Sequence, residues 1–341
     1  MLAGKKIPLR RPRVRDREGR EVALESYSRF QSPPRRQRSI MKKLVHGIST
    51  RKYEQAVEDF ADGYGISRSA VSRELVQAAR GMLQELCERR IDELGRLVVL
   101  MIDGQVFAGE HVIAALGVDE TGRKHILGLV QGSTENSAVV SRCASGLDDL
   151  IERGLDPTQR MLSVLDGAKA LHKAVKKTFG ECCEVQRCQL HKRRNVADHL
   201  SDEYRRSVDQ RMRTAYAMKN YKEARAQLLK TVAWLDRINV SAAASLREGL
   251  EETLTLHRLE LPEALRKSLS STNLIESAFS VARNVTGRVK RWRGGDMRLR
   301  WSAAGLLEAE KNFRRVRGCK LMPKLLIALD RGAVAESATA A

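Results

Sequence analysis

The sequence predicts an α/β fold in which an antiparallel meander is followed by alternating helices and strands. Five short apolar runs carry this pattern, at 97–103, 111–118, 124–131, 161–166 and 183–188. The first three runs are joined closely enough to pair as antiparallel strands, and helical patterns follow the later ones. This order describes a ribonuclease-H-like sheet, in which the ends of the first and fourth strands are neighbours.

The N-terminal arm, residues 1–52, carries sixteen Lys and Arg against four Asp and Glu. A short hairpin is expected around Arg17, Glu18 and Gly19, and Ser32-Pro33-Pro34 interrupts regular structure after it. The alternative is a disordered, solvated tail. In either form the arm would attract a polyanion before any specific contact forms.

Residues 53–96 predict a helix-turn-helix region and a connecting helix, GMLQELCERRIDELG. A turn at Gly63 and Gly65 separates a first helix, with Phe60 on its apolar face, from a second helix capped by Ser67. Helix-turn-helix spacing leaves polar side chains outward at the start of the second helix, where DNA bases are contacted. These side chains are Arg68, Ser69, Ser72 and Arg73. A generic helical hairpin has the same pattern, so both interpretations stay open.

The C-terminal half begins with helical patterns from Glu135 to Arg153 and at 168–180. Residues 192–265 have no strand signal and predict an all-helical insertion. After it, Ser270-Ser271-Thr272 is expected to cap a helix that begins near Asn273. The insertion must fold back so that this helix docks on the sheet.

Three carboxylates stand out: Asp103 and Asp166 close apolar runs and precede Gly, and Glu276 lies in the first turns of the later helix. A buried carboxylate is costly without a partner, and hard divalent cations are held by several such oxygens. The pattern therefore predicts a two-metal site for phosphoryl transfer, with Mg²⁺ or Mn²⁺ held by all three residues. The structural alternative for each Asp is a strand-end residue that caps the next helix.

These elements divide the chain into six predicted regions. They are a basic arm (1–52), a helix-turn-helix region with its connecting helix (53–96), the first part of a catalytic core (97–191), a helical insertion (192–265), the last part of the core with a basic C-terminal region (266–330), and a disordered tail (331–341).

The charge balance names the first partner to consider. Lys and Arg number 62 against 42 Asp and Glu, a net charge of +20 that favours nucleic acid. No apolar stretch approaches the ~20 residues of a membrane span, and the first residues lack a signal-peptide core. Six cysteines are too few for a disulfide framework at this length. We therefore expect a cytoplasmic protein with reduced thiols and no membrane partner.

Five motifs, in this order, resemble the Mutator-type DDE transposases of bacterial insertion sequences. They are IDG at 102–104, GSTEN at 132–136, LDGAKAL at 165–171, RCQLHKRRN at 187–195 and STNLIES at 271–277. The resemblance extends from about residue 40 to 315 and implies that Asp103, Asp166 and Glu276 are the catalytic triad. It also implies that the chain begins late in the N-terminal region that such transposases carry.

Cys188 and His191 form a Cys-x-x-His signature in that resemblance, which implies that His191 lies near the catalytic pocket and touches DNA. A structural zinc normally has four ligands, and this motif supplies two, so zinc is not expected. The alternative is a buried Cys beside a capping His.

Basic residues follow the second and third carboxylates and are expected to hold phosphates. They are Lys192, Arg193 and Arg194, and then Arg283, Arg288, Lys290, Arg291, Arg293, Arg298 and Arg300. Trp292 lies among them and offers a flat surface on which an unpaired base can stack, whereas core packing is expected for Trp301. A solvated charged face is the alternative.

The expected function is transposition: binding of double-stranded DNA at the ends of the chain's own element, metal-dependent strand cleavage, and strand transfer into target DNA. Because two ends must be held at once, a homo-oligomer is expected in the DNA complex. The alternative is a non-catalytic helix-turn-helix DNA-binding protein or an inactive relic of such an element. A ribonuclease of the same fold is the third interpretation.

Overall fold

The computed structural model describes residues 14–15, 17–19, 21–22, 68–107, 109–132, 136–287, 289, 292 and 296–339. Two compact units divide the chain: residues 1–85 with 282–305, and residues 86–281 with 306–341. Three of the helices defined below, Arg68–Glu88, Asn273–Thr286 and Met297–Glu310, cross from one range to the other.

The first unit contains a small hairpin and most of one long helix. Strands β1 (Val14–Arg15) and β2 (Glu21–Val22) pair antiparallel across Gly19, which confirms the short hairpin predicted in the arm. Helix α1 (Arg68–Glu88) is continuous, whereas the sequence predicted a DNA-reading helix followed by a separate connecting helix. The glycine between them, Gly81, is exposed and has no neighbour that would force a break. The first helix of the predicted helix-turn-helix, its glycine turn and Ser67 lie outside the described residues.

The core of the first unit joins α1 to the chain that follows residue 281. Its buried members are Leu75, Ala79, Val285, Trp301 and Ala304. Trp301 is therefore a core residue, as the sequence predicted. Trp292 is half-buried against the same cluster, and its use as a stacking surface for a base stays a prediction.

The second unit is built on a five-stranded sheet. Its strands are β3 (Leu97–Phe107), β4 (Glu110–Asp119), β5 (Lys124–Gln131), β6 (Met161–Leu165) and β7 (Cys183–Arg187). The order across the sheet is β5-β4-β3-β6-β7; β3, β4 and β5 pair antiparallel, and β6 and β7 pair parallel to β3. All five predicted runs are confirmed as strands, although β3 continues four residues beyond Asp103.

Two helices cover one face of the sheet. Helix α2 (Asn136–Glu152) precedes β6, and α3 (Lys169–Phe179) connects β6 to β7. Leu147 and Leu150 of α2 and Ala174 and Val175 of α3 are buried against apolar strand residues such as Leu100. Both helices follow the predicted patterns within one or two residues.

A run of helices follows β7, as predicted for the insertion. These helices are α4 (Gln189–Ala197), α5 (Asp202–Ala217), α6 (Tyr221–Asp236), α7 (Val240–Arg247), α8 (Thr255–Arg258) and α9 (Glu263–Leu269). They enclose an apolar core of their own, which includes Val208, Met212, Leu228, Leu235 and Leu246.

The last elements are α10 (Asn273–Thr286), α11 (Met297–Glu310) and α12 (Met322–Thr339). The disordered tail expected from 331 is instead helical to Thr339. This segment is rich in alanine, which has the highest helix propensity, and this composition favours the helix. Among the helices described, none has the length and hydropathy of a membrane-spanning segment.

Candidate active site

Strand pairing brings the first two carboxylates together. In the parallel pair β3 and β6, the last register partners are Ile102 and Leu165, so Asp103 and Asp166 come next on adjacent strands. Asp103 is 6% exposed, and Asp166 is half-buried just beyond the end of β6. The neighbouring strand ends predicted from the sequence are confirmed; the catalytic role of the two residues stays a prediction.

Each aspartate accepts one local backbone hydrogen bond. Asp103 Oδ1 accepts from the Gly104 amide at 2.9 Å, and Asp166 Oδ1 accepts from the Ala168 amide at 2.9 Å. Asp166 thus stabilises the turn before α3, but it does not cap that helix as the structural alternative supposed, because the N-cap is Ala168 and no side chain caps it. A carboxylate has about four acceptor positions, so one such bond leaves both groups able to bind something else.

Helix α10 brings Glu276 to the same edge. The ring of Phe279 on this helix lies 6.0 Å, between centroids, from that of Phe107 at the end of β3. Before the helix, the Ser270 carbonyl accepts a hydrogen bond from the Gln189 amide at 2.9 Å. Thr272 Oγ1 donates to Glu276 Oε1 at 2.9 Å, which fixes this carboxylate in the first turn. The predicted docking of this helix is therefore confirmed.

Electrostatics link all three carboxylates. Burial raises the pKa of Asp103 to about 6, and the negative charges of Asp166 and Glu276 add to the rise. The Gly104 amide and His191 act in the opposite direction. Asp103 is thus a buried carboxylate beside two others, an arrangement that favours either a proton or a bound cation.

The Cys-x-x-His motif forms the wall beside Glu276. Cys188 is fully buried at the start of α4, where its Sγ accepts a hydrogen bond from the His191 amide at 3.5 Å. The pKa of His191 is raised to about 9, mainly by the contact of His191 with Cys188. Partial burial lowers this pKa, whereas Asp103 and Glu276 contribute to the rise. Burial raises the pKa of the Cys188 thiol, but the hydrogen bonds from His191 outweigh it and leave that pKa below its usual value.

The raised pKa favours the protonated form of His191, and its Nε2 lies 4.0 Å from Glu276 Oε1. Its Nδ1 lies 3.4 Å from Thr272 Oγ1, which is also 3.6 Å from Cys188 Sγ. Thr272 joins the motif to Glu276. From the sequence, Thr272 was predicted only to help cap the helix, because the sequence pattern does not reveal its contacts with Cys188 and His191.

No group of three or more His, Cys, Asp and Glu side chains within the described ranges is close enough to ligate one ion. The three carboxylates interact electrostatically without converging on a single point. The described cysteines Cys87, Cys182, Cys183, Cys188 and Cys319 are free thiols.

The three cations that follow His191 differ in their surroundings. Lys192 is 2% exposed, and its Nζ donates to the carbonyls of Ser245 at 2.7 Å and Glu248 at 2.6 Å. This corrects the expectation that it holds DNA, because the ammonium is already used inside the protein. Arg193 pairs with Asp209, and Arg194 is exposed.

The remaining predicted DNA contacts belong to the first unit. Ser72 and Arg73 are exposed on α1, and Arg68 and Ser69 begin that helix. Arg283 is exposed on α10, whereas Arg300 is buried and pairs with Asp296. Arg288, Lys290, Arg291 and Arg293 lie outside the described residues, as does Glu135.

Arg187 connects the sheet to the insertion, a contact that was not predicted from the sequence. Arg187, 6% exposed at the end of β7, donates to the Glu248 carbonyl at 2.9 Å and pairs with Glu252 at 3.4 Å. Glu252 also pairs with His172 of α3 at 3.0 Å. In the sequence, the only indication of this contact is an Arg directly before the Cys-x-x-His motif, and it does not identify the partners of that Arg.

Comparison with known proteins identifies the family of this chain. The family model described as "Transposase, Mutator family" matches residues 3–311. A transposase for insertion sequence element ISRM5 from Rhizobium meliloti (strain 1021) is 28% identical over 318 residues, covering 90% of this chain and 76% of the relative. A transposase for insertion sequence element IS905 from Lactococcus lactis subsp. lactis (strain IL1403) is 27% identical over 282 residues, 80% of this chain and 67% of the relative.

A third relative, a probable transposase for an insertion sequence element from Corynebacterium diphtheriae, is 31% identical over 206 residues, 58% of this chain and 57% of the relative. The family model covers most of the chain, including all three carboxylates and the Cys-x-x-His motif. The family predicted from the sequence motifs is confirmed: this chain belongs to the Mutator family of transposases.

Proposed function

We propose that this chain is an insertion-sequence transposase that binds the ends of its own element and catalyses metal-dependent DNA cleavage and strand transfer. The observation that carries the proposal is the electrostatic grouping of Asp103, Asp166 and Glu276 at one edge of the sheet. A structural Asp that caps a helix has no need of two further carboxylates. The names of the relatives support the same function.

The donor chemistry fits a Mg²⁺ or Mn²⁺ site. Mg²⁺ is usually bound through one or two carboxylates, with waters and substrate phosphates completing its shell, so a cage of three protein ligands is not required. The pKa of Asp103, raised by burial and by its negative neighbours, marks an excess of negative charge that a hard cation would neutralise. Asp103, Asp166 and Glu276 would hold the metal.

When bound, a pair of such ions ionises the attacking water or 3′-hydroxyl and stabilises the leaving oxygen. The residues of the chain orient this chemistry. The Gly104 and Ala168 amides fix the two aspartates, and Thr272 fixes Glu276. Protonated His191 would donate a hydrogen bond to a phosphate oxygen of the strand being cut.

DNA recognition is assigned to the first unit and the basic arm. The start of α1, with Arg68, Ser69, Ser72 and Arg73, would read bases as the second helix of a helix-turn-helix. The excess of Lys and Arg in residues 1–52 would hold phosphates without reading sequence. A ribonuclease-H-like core agrees with the strand order, and a homo-oligomer would hold the two ends.

A mini-element assay tests this function. A marker gene is bordered by the DNA that flanks this coding sequence, and the chain is supplied from a second plasmid. Excision or new insertions are expected with the wild type and not with Asp166→Asn. If the wild type binds these ends yet never moves or nicks them, the alternative of a non-catalytic DNA-binding relic holds. Cleavage of RNA·DNA hybrids without joining would favour the ribonuclease interpretation.

A further inference from the structure

Helix α4 presents a second polar side chain beside His191. Asn195 lies four residues after it, and residues at this spacing share one face of a helix. Asn195 is exposed, and within the described ranges its amide has no hydrogen-bond partner. It does not cap α4, because the C-cap of this helix is Asp198.

The amide of Asn195 lies beside the residue that follows the second aspartate. Its Nδ2 lies 3.4 Å from the position that a Cβ on Gly167 would occupy, and Gly167 follows Asp166 directly. The backbone of α4 is anchored at this edge, because the Cys188 amide donates to the Leu165 carbonyl at 2.7 Å. On this helix, His191 therefore lies beside Glu276, and Asn195 lies beside Gly167, the residue after Asp166.

We propose that Asn195 is a substrate-binding residue of the active site, whose amide donates a hydrogen bond to a non-bridging oxygen of the DNA phosphate that is cut beside Asp166. This inference rests on the proposed transposase function and adds a residue to its site. His191 and Asn195 would then place two hydrogen-bond donors one helical turn apart on α4, the first beside Glu276 and the second beside Gly167.

A neutral amide suits this position. Asn is among the side chains that donate to DNA phosphates, and it does so without adding a charge. A Lys or Arg so close to Asp166 would pair with the carboxylate and compete with a metal ion for it. Buried Lys192 and the Arg193 pair with Asp209 are already committed inside the protein, so α4 offers Asn195 and Arg194 to a ligand.

The first experiment measures single-turnover cleavage of a fluorescent element end, with the cut site mapped on the wild type. Asn195→Ala should lower the cleavage rate about 10- to 100-fold, the range expected for one hydrogen bond to a charged group, while the Kd for the same DNA changes less than threefold. Asn195→Asp should lose at least as much, because it places a negative charge beside the phosphate.

Asn312→Ala is the matched control, because it removes the same group from an exposed position at the other end of the sheet. The next residue, Phe313, packs under Lys124 at the start of β5. Across the sheet, Lys124 is in register with Val118 and, through it, with Val99, which lies four residues before Asp103 on β3. The control should cleave at the wild-type rate, and both variants should melt within about 2 °C of the wild type.

The second experiment places a methylphosphonate at the mapped position, one stereoisomer at a time. If Asn195 contacts the replaced oxygen, the losses caused by Asn195→Ala and by that isomer are not additive. Additive losses with both isomers, or a wild-type rate for Asn195→Ala, would overturn the inference while the proposed function stands. No metal-dependent cleavage by the wild type would instead overturn the proposed function.

Discussion

Arg187 packs directly on the backbone of Gly249. Its Cζ lies 2.7 Å from the position that a Cβ on residue 249 would occupy, and Gly249 has a φ of +63°. Arg187 is the last residue of β7 and the register partner of Leu165, the residue before Asp166. The insertion is therefore held against β7, the strand that pairs with β6, and Asp166 directly follows β6.

Gly249→Ala should destabilise the protein by about 2 kcal/mol or more, because it adds a positive-φ cost and displaces Arg187. Gly180→Ala is the matched control: its φ is +53°, and a Cβ there meets nothing within 4 Å. It should cost about 1–3 kcal/mol, because its φ of +53° with a ψ of −131° is a conformation that only glycine adopts readily, and Gly249→Ala should cost more. Urea unfolding of both variants gives the comparison. Equal losses would mean that the Arg187 contact adds nothing to stability.

Asp103→Asn should stabilise the protein above pH 6. The folded pKa of Asp103 is raised to about 6, above the unfolded value of about 3.9, so the buried charge costs stability at neutral pH. As the pH falls through 6 toward 4, the folded state takes up a proton and the cost disappears. The gain from Asn should be about 2–3 kcal/mol at pH 7.5 with a chelator present, and should vanish near pH 4.

Asp119→Asn is the opposite case and serves as the control for that measurement. Burial raises the pKa of Asp119, but hydrogen bonds from His125, Thr121 and Arg123 outweigh it and hold the pKa below its usual value. The stability that the charged Asp119 contributes is present above the pKa that this residue has in the unfolded state. It is lost as the pH falls through the lower pKa of the folded state. At pH 7.5 this substitution should lower the melting temperature. If Asp103→Asn and Asp119→Asn shifted the melting temperature in the same direction at pH 7.5, the opposite directions given for the two pKa values would be contradicted.

Lys192 and Arg194 should separate folding from DNA binding. Lys192→Met removes the donor for two carbonyls and should cost about 1–3 kcal/mol in urea unfolding, with little effect on DNA affinity. Arg194→Ala should leave stability unchanged and reduce the slope of log affinity against log salt by about 0.9. A reduced salt slope in folded Lys192→Met would restore Lys192 as a phosphate contact.

Replacing Arg68 and Arg73 with Ala should weaken binding to the element end by about 1–3 kcal/mol for each lost base contact, with little change on random DNA. The reason is their position at the start of α1, where a recognition helix contacts bases. Fluorescence anisotropy on the two DNAs measures the difference. An equal loss on both would mean that these residues hold phosphates and do not read sequence.

The sheet was predictable from the sequence because its strands are short apolar runs between clear turns. The Asp119 turn, for example, is bounded by β4 and β5 as expected. The extension of β3 to Phe107 was not predicted, because Gly104 and Gln105 interrupt the apolar run. Pairing with β4 continues there through backbone hydrogen bonds, which do not depend on side-chain hydropathy.

The carboxylates could be found in the sequence because the chemistry requires one residue type at strand ends and a helix start. Whether each basic side chain is buried or exposed could not be predicted from the sequence. Lys192 and Arg194 stand two residues apart in one basic run, yet the first is buried and the second is exposed. On helix α4 the side chain of Lys192 faces the insertion. Its burial depends on the hydrogen bond to Ser245, a tertiary contact some 50 residues away in sequence.

The most direct test of the account is single-turnover cleavage of an element end in Mg²⁺ by Asp103→Asn, Asp166→Asn and Glu276→Gln. Each amide keeps the shape and removes the charge that would hold the metal, so each single variant should lose cleavage and joining while binding DNA like the wild type. The triple variant should lose no more than the singles, because the three groups act as one unit. Cleavage at the wild-type rate by Glu276→Gln would contradict the account, and Glu135 and Glu308 would become the next candidates for the third carboxylate.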